Sequence, residues 1–393
     1  MFIDEILDKR MKQMDLNVFY CTNCVNSNQR FGFKFDENRV CEACNYAKEK
    51  ESSIDWEKRE EELQQLCDRF RSKDGSIDCI VPSSGGKDSG YVAHHLKCKY
   101  GMHPLTATFA PAMFTDIGWK NYQNMCRLFD NVMAYPNREI HSKLARLGFE
   151  LLGDIFTPWH CGIKSYPLHL AIKYNVPLIV YGEKQGVEYG GRSEGRDRPT
   201  EEIQDRDFDK GIHFLSRIVK AGLRHGVFKE GEIKEKTLEM YTQPEEKLIQ
   251  EAGLEIHSFS YYKKWIPQEN YYYAQENCGF EPNSERSEGT YHKYASLDDK
   301  TDGLYYYMQL IKIGIGRCTS DASQEIRSNH ITRDEAVALV HKYDTEFPKK
   351  YFRENLEYMG ITEEHFHRTV DKFRPPHLWN KRNGEWQLKY QVV

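Results

Sequence analysis

The sequence has no apolar run long enough to cross a membrane, no long basic tract and no low-complexity segment. Hydrophobic residues make up 39% and charged residues 29% of its 393 residues, which is typical of a globular protein with room for two or three domains. The chain does not open with a basic region followed by an apolar core. We therefore expect a cytoplasmic protein that has no membrane contact. The net charge of −5 argues against a nucleic-acid partner.

The sequence SGGKDS at 84–89 is not a Walker motif, which needs four residues between its first glycine and Gly-Lys-Ser/Thr. It lies between a predicted strand and a predicted helix. Backbone N–H groups of the turn, the helix dipole and the charge of Lys87 would together bind phosphate. Ser84 and Ser89 add hydroxyl donors. We interpret this segment as a phosphate-binding loop; the alternative is an ordinary glycine-rich turn.

The eleven cysteines are odd in number and irregularly placed, so a disulfide framework is not expected. Cys21-x2-Cys24 and Cys41-x2-Cys44 are separated by sixteen residues. Each pair can bring two thiolates to one tetrahedral ion, and four thiolates leave zinc no open position. We predict a structural zinc knuckle here, with an iron–sulfur cluster or unligated cysteines as the alternatives.

Apolar segments alternate between strand and helix patterns from residue 77 onward. The predicted strands are 77–82, 104–109, 131–135 and 176–181, and the predicted helices are 90–100, 119–129, 140–152 and 163–174. This alternation predicts a doubly wound parallel α/β sheet, in which ligands bind beyond the carboxyl ends of the strands. We predict a knuckle over 1–50, a connecting helix over 51–75, an ATP-binding domain over 76–210 and a mostly helical substrate or oligomerisation region over 211–393. In that last region, Thr332 and Thr362 are predicted to cap helices over 333–343 and 363–373.

Polar residues at the predicted strand ends are candidates for chemistry. Lys87 would neutralise a departing pyrophosphate, and Asp88 would hold Mg²⁺ or else cap the helix. Glu183 would bind a metal or a ribose, or be a surface glutamate. Cys161 would lie at the N-terminus of a helix, as a nucleophile for sulfur transfer or as a buried thiol. His160 would shuttle a proton from ammonia or be a loop residue.

Two further segments have open alternatives. Residues 186–208 are rich in glycine and charge, which is typical of an active-site loop or of a surface insert. Residues 314–327 place two glycines before a polar helix, a shape that suits an anion. Arg317 and Arg327 would then pair with a carboxylate or phosphate; the alternative is a capped helix with solvated arginines.

The four cysteines, Trp56, SGGKDS, the WHCG segment at 159–162, Tyr181-Gly182-Glu183 and the pattern G-x-G-R-x-T-x-D-A-S-x-x-I-R occur in that order. With these motifs the chain resembles the N-acetyl sugar amidotransferases of the WbpG and PseA kind. They are similar to other PP-loop ATP pyrophosphatases, which have the adenine nucleotide alpha hydrolase-like fold. The resemblance implies that ATP adenylates the acetamido oxygen of a sugar or sugar nucleotide and that ammonia displaces AMP.

The acetamidino product would enter a bacterial surface glycan, such as lipopolysaccharide O-antigen or flagellin pseudaminic or legionaminic acid. The implied cofactors are ATP, Mg²⁺ and structural Zn²⁺. An N-terminal-nucleophile glutaminase needs cysteine at position 2, where this chain has Phe2. We therefore expect ammonia from a separate glutaminase, such as a HisH/HisF-like pair, and a homo-oligomer is possible. The alternative is a PP-loop enzyme that thiolates or modifies tRNA, favoured if Cys161 and Cys278 are essential and the knuckle holds iron.

These interpretations assign four sets of residues. The catalytic candidates are Lys87, Asp88, His160 and Cys161. The ATP-binding candidates are Ser84, Gly85, Gly86, Lys87, Asp88, Ser89, Thr108, Phe109, Gly182 and Glu183. The resemblance implies that Arg317, Ser320, Asp321 and Arg327 bind the sugar, and the metal ligands are Cys21, Cys24, Cys41 and Cys44.

Overall fold

The computed structural model describes residues 5–191, 193, 195–201 and 212–393. A five-stranded sheet lies at its centre, and every neighbouring pair of strands is parallel. Its strands are β1 (Cys79–Pro82), β2 (Pro104–Phe109), β3 (Asp130–Ala134), β4 (Leu178–Tyr181) and β5 (Glu255–Ser258), in the order β3-β2-β1-β4-β5. The predicted doubly wound parallel sheet is therefore confirmed.

Helices precede the sheet and connect its strands. Before β1 come α1 (Glu42–Ser52) and α2 (Trp56–Phe70). Between the strands lie α3 (Lys87–Cys98), α4 (Asp116–Cys126), α5 (Arg138–Leu152), α6 (Thr157–Tyr174), α7 (Gln185–Tyr189), α8 (Ile212–Arg224) and α9 (Glu246–Glu251). Short 3-10 helices occupy Lys9–Gln13 and Glu235–Tyr241.

The chain after β5 is mostly helical, as expected. It contains α10 (Phe259–Tyr262), α11 (Pro267–Cys278), α12 (Asp302–Ile313), α13 (Arg317–Arg327), α14 (Arg333–Tyr343), α15 (Phe352–Met359) and α16 (Glu363–Lys372). An antiparallel hairpin of β6 (Trp379–Arg382) and β7 (Glu385–Leu388) follows. The predicted caps are confirmed: the side chain of Thr332 accepts a hydrogen bond at the start of α14, and that of Thr362 at the start of α16.

Alternate residues of the central strands face two separate cores. Val81 and Val180 pack with α2, α3 and α4 on one face of the sheet. Ile80 and Ile179 pack with α6 on the other face. Because both faces are covered, the strands read as continuous apolar runs in the sequence. The sheet therefore holds the carboxyl ends of β1, β2 and β4 in fixed positions.

Some boundaries differ from the predicted ones. The sheet includes β5, which lies beyond residue 210, where we expected the ATP-binding domain to end. Helix α6 begins at Thr157 rather than at 163, because Pro158 starts a helix well when it occupies the first turn. Of the segment 186–208, α7 occupies the beginning, while 192, 194 and 202–208 lie outside the described residues. Within the described ranges, no helix is both long and apolar enough to cross a membrane.

Candidate functional site

The loop between β1 and α3 is a tight turn that only glycine permits at its centre. Gly85 has a φ of +90°, and a Cβ added there would lie 2.6 Å from the Cα of Tyr122. The N–H of Gly85 donates to Oγ of Ser83 at 3.2 Å, and Oγ of Ser89 donates to the carbonyl of Gly86 at 3.0 Å. Gly86 is the N-cap residue of α3. The strand, turn and helix N-terminus predicted for a phosphate loop are therefore present.

Lys87 and Asp88 lie in the first turn of α3. Nζ of Lys87 is 2.5 Å from Oδ2 of Asp88, and Oδ1 of Asp88 accepts a hydrogen bond from Nδ2 of Asn270 at 3.0 Å. Since Gly86 is the N-cap residue, the alternative that Asp88 caps the helix is wrong. Asn270 belongs to α11, which packs along α3. It fixes the carboxylate of Asp88 from a distant part of the chain.

A pocket of about 340 Å³ lies over this loop. One side is lined by residues 84–89 together with Phe109, Gly182 and Glu183, which agrees with their predicted placement. Thr108 was placed wrongly. It is fully buried in β2, and its Oγ1 accepts a hydrogen bond from Nδ2 of Asn131 at 2.9 Å. Successive residues of a strand point in opposite directions, so Phe109 reaches the pocket and Thr108 does not.

The other side of the pocket comes from α7 and the C-terminal region. Its polar lining residues are Tyr189, His292, Tyr294, Ser296, Asp298, Asp302, Arg317, Asp321, Gln324 and Glu325. Nε of Arg317 lies 3.0 Å from Oδ1 of Asp321, and the guanidinium stands 4.3 Å from the ring centroid of Tyr306. Among the described residues, the two terminal nitrogens of Arg317 make no hydrogen bond. Arg317 therefore offers a positively charged fork to a ligand in the pocket.

The N-terminus of α13 does not bind an external anion. The carboxylate of Asp344 accepts hydrogen bonds from the N–H of Gly316 at 3.0 Å and of Thr319 at 2.8 Å. A Cβ added at Gly316 would lie 2.6 Å from Oδ1 of Asp344, which explains the glycine. The anion-binding interpretation of 314–327 is therefore wrong at this helix end, because the protein's own carboxylate occupies it.

Two of the four residues assigned to the sugar lie elsewhere. Oγ of Ser320 accepts a hydrogen bond from Nη2 of Arg30 at 3.1 Å. Nη1 of Arg327 contacts Sγ of Cys24 at 3.9 Å, so this arginine faces the cysteine cluster. The assignment of Ser320 and Arg327 to the pocket is corrected accordingly, whereas Arg317 and Asp321 do line it. Residues one helical turn apart share a face, but residue 327 is ten positions beyond 317, at the other end of α13.

Cys161 is not placed as a nucleophile. It lies inside α6, it is 1% exposed among Phe109, Leu144 and Tyr241, and burial raises the pKa of its thiol. His160 packs against Tyr305, and its Nδ1 is 3.8 Å from Oδ2 of Asp154. In the described part of the chain, neither residue lines the pocket. The catalytic assignment of both residues is therefore withdrawn.

The pocket is rich in carboxylates. They belong to Asp88, Glu183, Asp298, Asp302, Asp321 and Glu325, against the cations Lys87 and Arg317. Burial, together with the charge of Asp88, raises the pKa of Glu183 to about 8. Burial also raises the pKa of Asp302 to about 6, although the charge of Arg317 opposes the shift. Asp88 and Glu183 are hard oxygen ligands of the kind that Mg²⁺ prefers, so these residues fit that ion.

The four cysteines of the knuckle form one buried cluster. All four sulfurs lie within 4.8 Å of one another, with Cys21 and Cys44 at 4.0 Å and Cys24 and Cys41 at 3.7 Å. Backbone N–H groups of residues 23, 24 and 41 point at Sγ of Cys21, at 3.3 to 3.4 Å. The metal-binding arrangement predicted from the two Cys-x2-Cys pairs is therefore confirmed.

One family model matches the part of the chain that forms the wall of the pocket opposite the phosphate loop. Residues 288–392 match the family model described as "LPS biosynthesis protein WbpG-like, C-terminal domain". We call residues 288–392, which are similar to this family, the WbpG-like domain. This match confirms the resemblance to WbpG-type proteins that the motifs indicated. The WbpG-like domain contains His292, Tyr294, Asp302, Arg317 and Asp321, so it supplies much of the pocket opposite the phosphate loop.

No curated protein sequence matches the chain. Among solved structures, the U34-tRNA thiolase NcsA from Methanococcus maripaludis with its [4Fe-4S] cluster aligns with 73% of this chain and 79% of its own, at 14% identity. The TM-score of that superposition is 0.29, which is too low to support a conclusion about this chain.

Replacing Glu183 by Gln should flatten the pH dependence of stability. Because folding raises the pKa of Glu183 from 4.5 to about 8, the folded protein holds this proton more tightly than the unfolded chain does. The protonated carboxyl of Glu183 makes its full contribution to the free energy of unfolding below about pH 4.5. That contribution is lost as the pH rises towards 8, by at most about 1.4 kcal/mol per pH unit. Urea unfolding of the wild type and Glu183→Gln at several pH values in this window measures the difference.

The matched control is Glu61→Gln, which alters an exposed glutamate of α2. Its unfolding free energy should follow the pH profile of the wild type. Equal slopes for the wild type and Glu183→Gln would contradict a raised pKa of the carboxyl at this position.

Proposed function

We propose that the protein is an ATP-dependent amidotransferase that converts an acetamido group of a sugar into an acetamidino group. The observation that supports this most is the composition of the pocket. A phosphate loop forms one side, and a WbpG-like domain forms much of the other. A nucleotide bound at the loop would therefore have its α-phosphate near a substrate bound to the WbpG-like domain. The description of that family refers to lipopolysaccharide biosynthesis. A bacterial surface sugar is therefore the favoured substrate.

The loop side suits the triphosphate of ATP. Backbone N–H groups at the N-terminus of α3 and the ammonium of Lys87 are the groups that stabilise a pyrophosphate as it leaves. Asp88 and Glu183 would hold Mg²⁺ there. That ion, when bound, neutralises phosphate charge and aligns the oxygens for displacement. Because the pKa of Glu183 is raised to about 8, Mg²⁺ bound there would displace a proton from this carboxyl.

The C-terminal side suits a polyhydroxylated substrate. Oδ2 of Asp302 is buried and has no hydrogen-bond partner among the described residues. Together with Glu325, it gives the wall acceptors for sugar hydroxyl groups. Arg317 would bind the one anionic group of the substrate, a carboxylate or a phosphate. Buried acceptors of this kind favour a ligand that donates hydrogen bonds over an apolar one.

The proposed reaction solves a leaving-group problem. The acetamide oxygen attacks the α-phosphorus of ATP, the bond to the β-phosphate oxygen breaks, and pyrophosphate departs. The resulting imidate carries AMP on its oxygen. Ammonia adds to the imidate carbon. AMP then leaves with the former carbonyl oxygen, and the product is an amidine whose second nitrogen comes from ammonia. The protein aligns the reactants and excludes water, since water in place of ammonia would regenerate the acetamide.

The supply of ammonia is assigned to a separate glutaminase, as the resemblance implies. The tRNA-thiolation alternative would be favoured if Cys161 and Cys278 were essential and the knuckle held iron. Cys161 is 1% exposed and Cys278 is 6% exposed, and burial raises the pKa of Cys278 to about 12. Since neither thiol is exposed or easily ionised, sugar amidation is the better supported of the two.

We assign zinc to the four-cysteine site. A regular tetrahedron with Zn–S bonds of about 2.3 Å has edges of about 3.8 Å, close to the two sulfur separations of 3.7 and 4.0 Å. A cubane cluster would place each thiolate on a different iron, with its sulfurs farther apart. The cysteine arrangement therefore favours one four-coordinate ion with a structural role.

Replacing Lys87 by Ala should lower turnover at least about 100-fold, because a preorganised cation at the departing pyrophosphate is lost. The assay incubates protein with ATP, Mg²⁺, ammonium and a panel of diacetamido sugars, and mass spectrometry follows AMP and a sugar in which NH replaces oxygen. Lys97→Ala, in the last turn of the same helix, should retain wild-type turnover. Formation of AMP without any change in the sugars would contradict the proposed amidation.

Metal analysis of the purified protein should find about one zinc per chain and no iron–sulfur absorbance in the visible range. Replacing Cys24 by Ser should remove the metal, because three thiolates and a hydroxyl bind zinc poorly. Replacing the exposed Cys98 by Ser should leave the zinc content unchanged. Iron together with acid-labile sulfide would overturn the zinc assignment.

A further inference from the structure

The four-cysteine knuckle is packed against a wall of the pocket. We call residues 185–191 the wall segment; it contains α7 and ends in Gly190 and Gly191. Tyr189, in this segment, lines the pocket. The wall segment lies between α1 of the knuckle and α13 of the WbpG-like domain. The knuckle therefore contacts two elements that shape the pocket.

Arg30 connects these two elements. Its Nη1 donates to the carbonyl oxygens of Tyr189 at 2.9 Å and of Gly190 at 3.2 Å, and its Nη2 donates to Oγ of Ser320 at 3.1 Å. Ser320 lies next to Asp321 in α13, the helix that presents Arg317. One rigid guanidinium from the knuckle thus sets the distance between Tyr189 and the charged residues of α13.

Arg327 connects the wall segment to the cysteines themselves. Its Nη2 donates to the carbonyl oxygen of Glu188 at 3.0 Å, while its Nη1 contacts Sγ of Cys24 at 3.9 Å. Four thiolates on one divalent ion carry a net charge of −2, which a neighbouring guanidinium partly balances. The carboxylate of Glu188 is itself paired with Lys50 at 2.7 Å; the Glu188 side chain is buried and that of Lys50 is 11% exposed.

The contact between the knuckle and the wall segment is tight. A Cβ added at Gly190 would lie 2.4 Å from the ring of Phe33, and Gly190 has a φ of +93°. A displacement of the knuckle would therefore move the wall segment with it, because closely packed groups leave no empty space between them.

We propose that Arg30 and Arg327 are positioning residues that couple metal binding at the cysteines to the geometry of the pocket. With the metal bound, the thiolates hold Arg327, the knuckle holds Arg30, and the two arginines fix the backbone of the wall segment. The coupling is reciprocal, so a ligand that orders the pocket also slows loss of the metal. The knuckle is then a part of the pocket's support and not only a folding module.

The test uses the full-length, metal-loaded protein, with Mg·ATP and a chelator as probes. In Arg30→Met, calorimetry should show Mg·ATP affinity lowered by about 5-fold or more, with the metal content retained. In Arg327→Met, the chelator should remove the metal about 10-fold faster or more, because a group that supports the thiolates is lost. Saturating Mg·ATP should slow metal release in the wild type and not in Arg30→Met. Lys34→Met, at an exposed position of the knuckle, should behave like the wild type throughout.

A second measurement uses only the wild type, so it requires neither ATP binding nor correct folding of a variant. Stripping the metal from the wild type should accelerate trypsin cleavage after Lys184 and Arg196, which flank the wall segment, while circular dichroism retains the signal of the sheet domain. If the wild type binds no ATP, the proposed function fails and this cleavage decides the coupling. Unchanged cleavage after stripping, or wild-type ATP affinity and metal release in both arginine variants, would overturn the proposal.

Discussion

The pocket depends on the parallel pairing of β1 with β2 on one side and with β4 on the other. Helix α3, which follows β1, and helix α6, which precedes β4, cover opposite faces of the sheet, so a crevice opens at the carboxyl ends of these strands. The chain leaves β1 through Gly85, whose backbone lies against that of Tyr122. That close approach forms the concave turn, and the charged residues of α3 face the pocket as a consequence.

The remaining walls are supplied by distant parts of the chain, each fixed by a specific polar contact. Asn270 orients the carboxylate of Asp88, Asp344 holds the N-terminus of α13, and Arg30 joins the wall segment to Ser320. A single Mg²⁺ at Asp88 and Glu183 would offset part of the negative charge of the pocket. The site is thus a joint product of the sheet, the WbpG-like domain and the knuckle.

Local signals were sufficient to predict much of this arrangement. The alternation of apolar segments predicts four of the five central strands. The spacing of residues in the glycine turn and in the cysteine pairs predicts a phosphate-binding loop and a metal site. The strand β5 was missed because Glu255–Ser258 is short and follows a helical stretch. Cys161 was misplaced because Thr157 and Pro158 start the helix earlier than its apolar pattern does. The roles of Asn270, Asp302 and Arg327 depend on tertiary contacts, so no pattern in the sequence could have assigned them.

In the proposed reaction, the oxygen of the acetamido group becomes an oxygen of AMP. The most direct test is a single turnover with a sugar whose acetamido oxygen is ¹⁸O, followed by mass spectrometry of the AMP. We expect one ¹⁸O in each AMP formed and none in the amidine product. AMP that carries only unlabelled oxygen, formed alongside an amidine or an unchanged sugar, would contradict activation of the acetamide by adenylation.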